Sequence, residues 1–170
     1  ISSELSFLRS SLVGNLLMIT QKNINRNFVN SSVFEIGPVF FKNKSYEQEE
    51  YACGIRTGSF YEKSWLEKKR DIDVFDLKAD LYSCLKLMNI NIDNLKVSKK
   101  SKSYYHPGKS GSIFIGNEEI GCFGEIHPNV INNLEIKTNC CAFEINLTKI
   151  LTFLKKTSDA KRELKVSSYQ

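Results

Sequence analysis

The sequence lacks the long apolar runs and the glycine-rich loops that mark several common classes of protein. No stretch approaches the roughly twenty apolar residues that a membrane helix needs, and the first residues carry no basic signal-peptide segment. A Gly-x-x-x-x-Gly-Lys phosphate loop, a Gly-x-Gly-x-x-Gly fingerprint and a Gly-x-Ser-x-Gly elbow are also missing. These absences argue against a membrane anchor, a mononucleotide or dinucleotide fold of those kinds, and an α/β-hydrolase.

Paired cysteines are missing as well, although the chain contains five cysteines. The number is odd, two of the residues are adjacent, and none has the Cys-x-x-Cys spacing of a zinc site. The pattern predicts free thiols in a reducing cytoplasm. The five residues are Cys53, Cys84, Cys122, Cys140 and Cys141.

Histidine is scarce, and both histidines precede a proline, as His106-Pro107 and His127-Pro128. Proline disfavours helical geometry in the residue before it, which excludes a helical His-x-x-x-His metal box. Between the two histidines, apolar runs at 112–115 and 120–123 flank a polar turn and predict a β-hairpin. We interpret the histidine segments as rigid turns, with acid–base catalysis by His106, Glu125 and His127 as an alternative.

The net charge of +5 makes the chain modestly basic. One cluster of lysines precedes the first histidine, in a basic loop that we define as residues 96–109. Such a loop can bind RNA phosphates, and a stand-alone RNA-binding module is therefore an alternative function. The competing interpretation is an ordinary solvated surface. The lysines of interest are Lys96, Lys99, Lys100 and Lys102.

Helical periodicity begins at Ser3, a predicted N-cap, and continues to Ile19. The apolar stripe is wider than one helix face, so we expect this helix to pack against a partner as well as its own domain. Gly14 would allow a close approach. The predicted stripe contains Leu5, Leu8, Leu12, Leu16 and Ile19, widened by Phe7, Val13, Leu17 and Met18.

The remaining pattern predicts strands at 33–41 and 50–58, a helix at 71–88 and a short strand at 95–97. The hairpin follows, then a helix from Pro128, a strand at 140–145 and a helix at 147–154. Pro38 indicates an edge strand or a bulge. The irregular order favours an α+β fold, with helices packed on an antiparallel or mixed sheet. We interpret the aspartates at 71, 73, 76 and 80 as a helix start rather than a magnesium cluster.

Five segments form an ordered series along the chain. They are residues 1–12 (ISSELSFLRSSL), 34–40 (FEIGPVF), 74–80 (VFDLKAD), the turn Tyr105-His106-Pro107-Gly108-Lys109 and the turn Gly124-Glu125-Ile126-His127-Pro128. Together they resemble the β subunit of bacterial phenylalanine–tRNA ligase, in its synthetase-like core domain. Lys109 and Gly111 stand where that family usually has Arg and Ala, and Ala79 where it usually has Gly. Lys109 lacks the planar fork that a bidentate contact would need.

The resemblance implies a class II aminoacyl-tRNA synthetase fold, an antiparallel sheet flanked by helices, without the catalytic residues of its partner. No Arg-x-Glu element and no Gly-x-Gly segment occurs. The resemblance therefore implies no catalytic or metal residue and no cofactor in this piece. ATP and Mg²⁺ would be used by the holoenzyme. The interface with the α subunit would include Leu5, Phe7, Leu8, Arg9, Leu12 and Leu16.

The implied assembly is an α2β2 heterotetramer in the cytoplasm, with two α subunits, a second β subunit, bound tRNA(Phe) and no membrane. We expect residues 1–156 to form an inactive synthetase-like core. Residues 157–170 are expected to be a linker toward a C-terminal anticodon-binding domain. The chain itself is expected to be a piece of a longer protein that is inactive alone.

Overall fold

The computed structural model describes residues 8–42, 46–61, 65 and 68–163, with side chains described to residue 157. Six antiparallel strands form one sheet in the order β1-β2-β6-β5-β4-β3. The strands are β1 (Ser31–Lys42), β2 (Tyr46–Thr57), β3 (Leu95–Ser98), β4 (Tyr105–Ile115), β5 (Glu118–Ile126) and β6 (Cys140–Asn146). The helices are α1 (Val13–Asn25), α2 (Val74–Leu87), α3 (Pro128–Asn133) and α4 (Leu147–Glu163), and a 3-10 turn covers Ile92–Asn94.

The helices divide between the two faces of the sheet, and each face has its own core. We call the side covered by α1 and α3 the α1 face, and the side covered by α2 and α4 the α2 face. Because side chains alternate along a strand, β6 places Ala142 and Glu144 on the α1 face and Phe143 and Ile145 on the α2 face. The predicted α+β fold with an antiparallel sheet is confirmed.

The hairpin predicted between the two histidines is confirmed as β4 and β5. Gly116 has a φ of 61° in the connecting turn, a conformation that favours glycine. His106, however, lies within β4 and not in a turn before it. The register of β4 against β5 shifts between Tyr105 and Ser110, so the first histidine segment is an irregularity in the strand.

Helix α2 begins where the aspartates predict a helix start. The Asp73 side chain accepts hydrogen bonds from the backbone N–H groups of Phe75 and Asp76, and the Asp76 side chain accepts one from the Asp73 N–H, which completes a capping box. Arg70 holds the pKa of the Asp76 carboxyl below its usual value through a hydrogen bond. Asp80 pairs with Arg56 on β2, at 2.9 Å.

The predicted start of the first helix is wrong over the described residues. Residues 8–12 are not helical, and α1 begins at Val13. Arg9 instead donates to Glu35 and to the Pro38 carbonyl, and its own carbonyl accepts from the Phe40 N–H. Ser11 and Leu12 bond to Glu144 on β6. These long-range bonds hold the segment across the sheet, which a helix starting at Ser3 would prevent. Residues 1–7, including Leu5 and Phe7, lie outside the described residues.

Two other boundaries differ from the expectation. Helix α4 continues to Glu163, so the first residues of the expected linker are helical. Strand β2 begins at Tyr46, before the start at residue 50 that the sequence pattern predicts. Pro38 lies on β1, which is an edge strand, as its missing N–H predicts.

Candidate functional site

The most polar part of the α1 face centres on Glu144, a carboxylate that is only 1% exposed. Strand β6 is apolar on both sides of it, and adjacent strands place Cys53 and Cys122 opposite it in register. A charge in such a position is costly unless it is paired and hydrogen-bonded. The partners of Glu144 therefore decide what this face can do.

Four donors from two segments occupy the two carboxylate oxygens of Glu144. Ser11 Oγ and the Leu12 N–H donate to Oε1, at 2.8 and 2.7 Å. Lys102 Nζ and Tyr104 OH donate to Oε2, at 2.9 and 3.1 Å. We call this arrangement the Glu144 clamp, because it fastens the segment before α1 and the basic loop to the centre of the sheet.

A second polar group adjoins the clamp at the end of β6. Asn146 Nδ2 donates to Glu49 Oε2 at 2.8 Å and to Tyr51 OH at 3.1 Å, while its Oδ1 accepts from the Lys149 N–H at the start of α4. Asn146, Tyr51 and Lys149 line a cavity of about 130 Å³ together with Lys102 and Glu144. Ligand pockets for small molecules are usually 300 Å³ or more, so this cavity is too small for a nucleotide.

Burial shifts several titratable groups around the clamp toward their neutral forms. It raises the pKa of Tyr51 to about 12, with help from Glu49, and the pKa of the Cys122 thiol to about 12. The pKa of Tyr104 also lies well above its usual value, first through burial and then through Cys122 and Glu144. Burial lowers the pKa of Lys102, but Cys122 and Glu144 outweigh it and leave that pKa raised. Lys102 therefore stays charged beside neutral tyrosines and thiols.

The clamp holds its acidic and basic groups against each other and offers neither to a substrate. A general base must present a free lone pair within about 3 Å of a substrate proton, whereas both oxygens of Glu144 accept from protein donors. The arrangement is suited to fixing chain segments. Sequence reasoning missed Glu144, although a single charged residue in the apolar strand 140–145 was a usable signal.

The two histidine segments come together at one end of the hairpin, where Tyr105 pairs with Ile126. His106 Nδ1 accepts from the Gly108 N–H at 3.1 Å, and His127 Nδ1 accepts from the Asn129 N–H at 3.2 Å, which caps α3. Glu125 pairs with Lys109 through a single 2.7 Å contact. Each member of the proposed His106, Glu125 and His127 set thus has a structural partner. Lys109 makes the one-point contact expected of an ammonium group.

The candidate RNA-binding lysines separate into different positions. Lys102 is held in the clamp. Lys99 and Lys100 are exposed and border a groove that also contains His127 and Pro107. Lys96 lies on β3 and is exposed, outside that groove.

The candidate interface residues separate as well. Leu12 and Leu16 are 0% and 2% exposed in the chain's own core, so neither presents a surface to a partner. Leu8 is 67% exposed, and the Arg9 side chain is partly buried in its ion pair with Glu35. The outward side of α1 instead carries Met18 and Ile19, 40% and 45% exposed.

Around Gly14 that helix is open, because a Cβ added there would meet nothing within 4 Å. We define the outer α1 surface as Gly14, Met18 and Ile19. It is an apolar stripe next to a position that allows close backbone approach.

Other classes of site receive no structural support in the described part of the chain. No three histidine, cysteine or carboxylate side chains among the described residues come together so that they could hold a metal ion. None of the helices described has the length and apolar content needed to cross a bilayer. All five cysteines are free thiols.

Comparison with known proteins identifies relatives over nearly the whole chain. A family model described as the phenylalanyl-tRNA synthetase beta chain CLM domain matches residues 1–147. The phenylalanine–tRNA ligase beta subunits of Wolbachia sp. subsp. Brugia malayi and Paramagnetospirillum magneticum are 41% and 36% identical to this chain. These matches cover 86% and 100% of this chain but only 18% and 21% of the relatives. The chain therefore spans about a fifth of the length of the curated relatives it matches.

A solved structure supports the fold independently of close sequence similarity. The crystal structure of pyrrolysyl-tRNA synthetase from Desulfitobacterium hafniense has a TM-score of 0.65 and 14% identity, covering 87% of this chain and 50% of that one. The fold is therefore that of class II tRNA synthetases.

Proposed function

We propose a function on the premise that this chain belongs to the phenylalanyl-tRNA synthetase beta chain family. The chain acts as a noncatalytic core domain of a phenylalanine–tRNA ligase β subunit. It assembles in the cytoplasm with the catalytic α subunit into an α2β2 enzyme that attaches phenylalanine to tRNA(Phe) using ATP and Mg²⁺. The observation that carries the noncatalytic role is the Glu144 clamp. It fills the centre of the α1 face with hydrogen bonds between residues of the same chain.

ATP does not fit the cavity beside the clamp. The cavity is about 130 Å³ and two carboxylates, Glu119 and Glu144, line it. A triphosphate is larger than this space. Lys102 and Lys149 also line the cavity, so its acidic and basic side chains balance and do not favour a highly charged anion. We therefore expect ATP, Mg²⁺ and phenylalanine to bind the α subunit, and this chain alone to have no aminoacylation activity.

The outer α1 surface supports a role in assembly. Met18 and Ile19 leave apolar area exposed on a helix whose other side is buried. Exposed apolar patches on otherwise packed helices mark protein interfaces, and Gly14 permits a close helix–helix approach. We place the α-subunit contact here, with Leu8 as a further exposed candidate, in place of the buried Leu12 and Leu16.

Co-purification tests this proposal with the full-length β subunit and the α subunit of the same organism. Wild-type β should retain α, whereas Ile19→Asp should lose at least about tenfold in affinity, since it buries a charge in the interface. Leu151→Asp is the matched control, because Leu151 is 55% exposed on α4, on the opposite face of the sheet. Failure of folded wild-type β to bind α would refute the assembly role, and equal loss in both variants would refute the placement on α1.

A stand-alone RNA-binding module remains the alternative, but no observation favours it over a β-subunit core. It would require the isolated chain to bind RNA with a strong dependence on salt.

A further inference from the structure

A positively charged groove of about 370 Å³ lies between the basic loop and the histidine segment before α3. Its lining contains Lys99, Lys100, Lys102 and His127, and no carboxylate among the described residues that border it. Grooves lined by one sign of charge concentrate ligands of the opposite sign.

Two of these lysines are available to a ligand. Lys99 and Lys100 are exposed and form no ion pair within the described part of the chain. Lys102 is engaged by Glu144 and serves to hold the loop. The groove therefore offers two adjacent ammonium groups on a segment whose end is anchored.

His127 adds a ring N–H donor to the same groove. Its Nδ1 accepts the Asn129 N–H, so in the neutral ring the proton is on Nε2. A nitrogen carrying a proton can donate to a phosphate or hydroxyl oxygen without a change of ionisation.

The groove is also held in shape before any ligand arrives. Tyr104 OH and Lys102 Nζ bond to Glu144, the Tyr105 N–H donates to the Lys102 carbonyl, and the His127 N–H donates to the Tyr104 carbonyl at 2.9 Å. The last bond ties the two walls of the groove together. Ordering a loop in advance lowers the entropy cost of binding.

The aromatic residues beside the groove are not available for stacking on bases. Tyr105 is 1% exposed, and Tyr104 is partly buried with its hydroxyl on Glu144. Single-stranded base recognition depends on exposed aromatic surfaces. The groove is therefore suited to a sugar–phosphate backbone and not to base readout.

We propose that this groove binds the phosphate backbone of tRNA, with Lys99 and Lys100 each neutralising a phosphate and His127 donating from Nε2. The choice of tRNA as the RNA rests on the proposed function. The contact is independent of sequence and adds to whatever the rest of the ligase contributes.

The test uses the complex of the α subunit with full-length β and a tRNA(Phe) transcript, with affinity measured across salt concentrations. Replacing Lys99 and Lys100 together by Gln should reduce the slope of log affinity against log salt by about two, roughly one per lost phosphate contact. The matched control is Lys68→Gln with Lys69→Gln, an adjacent exposed pair just before α2. It should leave the slope unchanged.

An equal slope in wild type and in the Lys99 and Lys100 variant would overturn the proposed phosphate contact. An equal reduction of the slope in both double variants would also overturn it. The complexes are first checked by size-exclusion chromatography. If folded β fails to bind α, the proposed function fails, and the same salt series on full-length β alone decides the groove. With β alone, a slope lower by about two in the Lys99 and Lys100 variant would support an RNA contact outside the ligase, and an unchanged slope would overturn that contact.

Discussion

The two faces of the sheet differ in the contacts at their centres. On the α1 face, a buried carboxylate gathers the segment before α1 and the basic loop through four hydrogen bonds. On the α2 face, α2 and α4 pack through an apolar core that includes Leu77, Leu81 and Ile150. Both faces have an apolar core, and the α1 face adds directional polar contacts at its centre.

This difference separates two kinds of information in the sequence. Apolar packing tolerates changes of similar volume, whereas a buried charge demands particular donors at particular places. The clamp therefore specifies where the segments without regular structure lie, whereas the two apolar cores contribute stability that depends less on particular side chains. Both features are consistent with the proposed scaffold role.

The largest expected effect comes from breaking the clamp. Glu144→Ala should lower the free energy of unfolding by about 4 kcal/mol, because it leaves the Leu12 N–H and Tyr104 hydroxyl without acceptors and removes the charge opposite Lys102. Urea unfolding of the chain measures the change. A loss under about 1 kcal/mol would show that the clamp is not a fixed structural element.

Leu81 on α2 provides the comparison for the other face. It is fully buried, so Leu81→Ala should cost about 3 kcal/mol through lost transfer energy and a residual cavity. The variant that combines Glu144→Ala and Leu81→Ala should be additive, because the two side chains lie on opposite faces of the sheet. Strong coupling between them would contradict the independence of the two faces.

Regular elements of the fold were predictable, since they depend on local pattern. Strands β5 and β6, the second half of β4 and helix α2 follow from periodicity, turn residues and the acidic helix start. The start of α1 was not predictable from local pattern, because Arg9 and Ser11 form hydrogen bonds to residues 26 to 133 positions away in sequence. The clamp depends on the same long-range contacts, and nothing local to Glu144 reveals that Lys102 and Tyr104 will reach it.

A smaller loss of stability should appear at alkaline pH, because tyrosines and thiols are buried in the folded chain. The folded state raises the pKa of Tyr51 from 10.0 to about 12, and those of Cys122 and Cys141 from 9.0 to about 12. The unfolded chain therefore loses these protons first, so the contribution of these groups to stability should be complete below about pH 9 and fall progressively toward pH 12.

Urea unfolding between pH 8 and pH 11 under reducing conditions measures this fall. Tyr51→Phe should remove only the share of the fall that Tyr51 contributes above about pH 10, and leave the shares of Tyr104, Tyr105 and the thiols in place. A stability that is flat over the whole range would contradict the burial of these groups.

The noncatalytic role of the α1 face is tested most directly by the aminoacylation rate of the assembled α2β2 enzyme carrying Glu144→Gln in full-length β. Gln keeps the shape of the side chain and removes its charge, so the account predicts a lower melting temperature with kcat within about twofold of wild type. Removing a general acid or base typically costs 10² to 10⁴ in rate. A folded, fully assembled variant whose kcat fell by about 100-fold or more would contradict the account and place Glu144 in the chemistry.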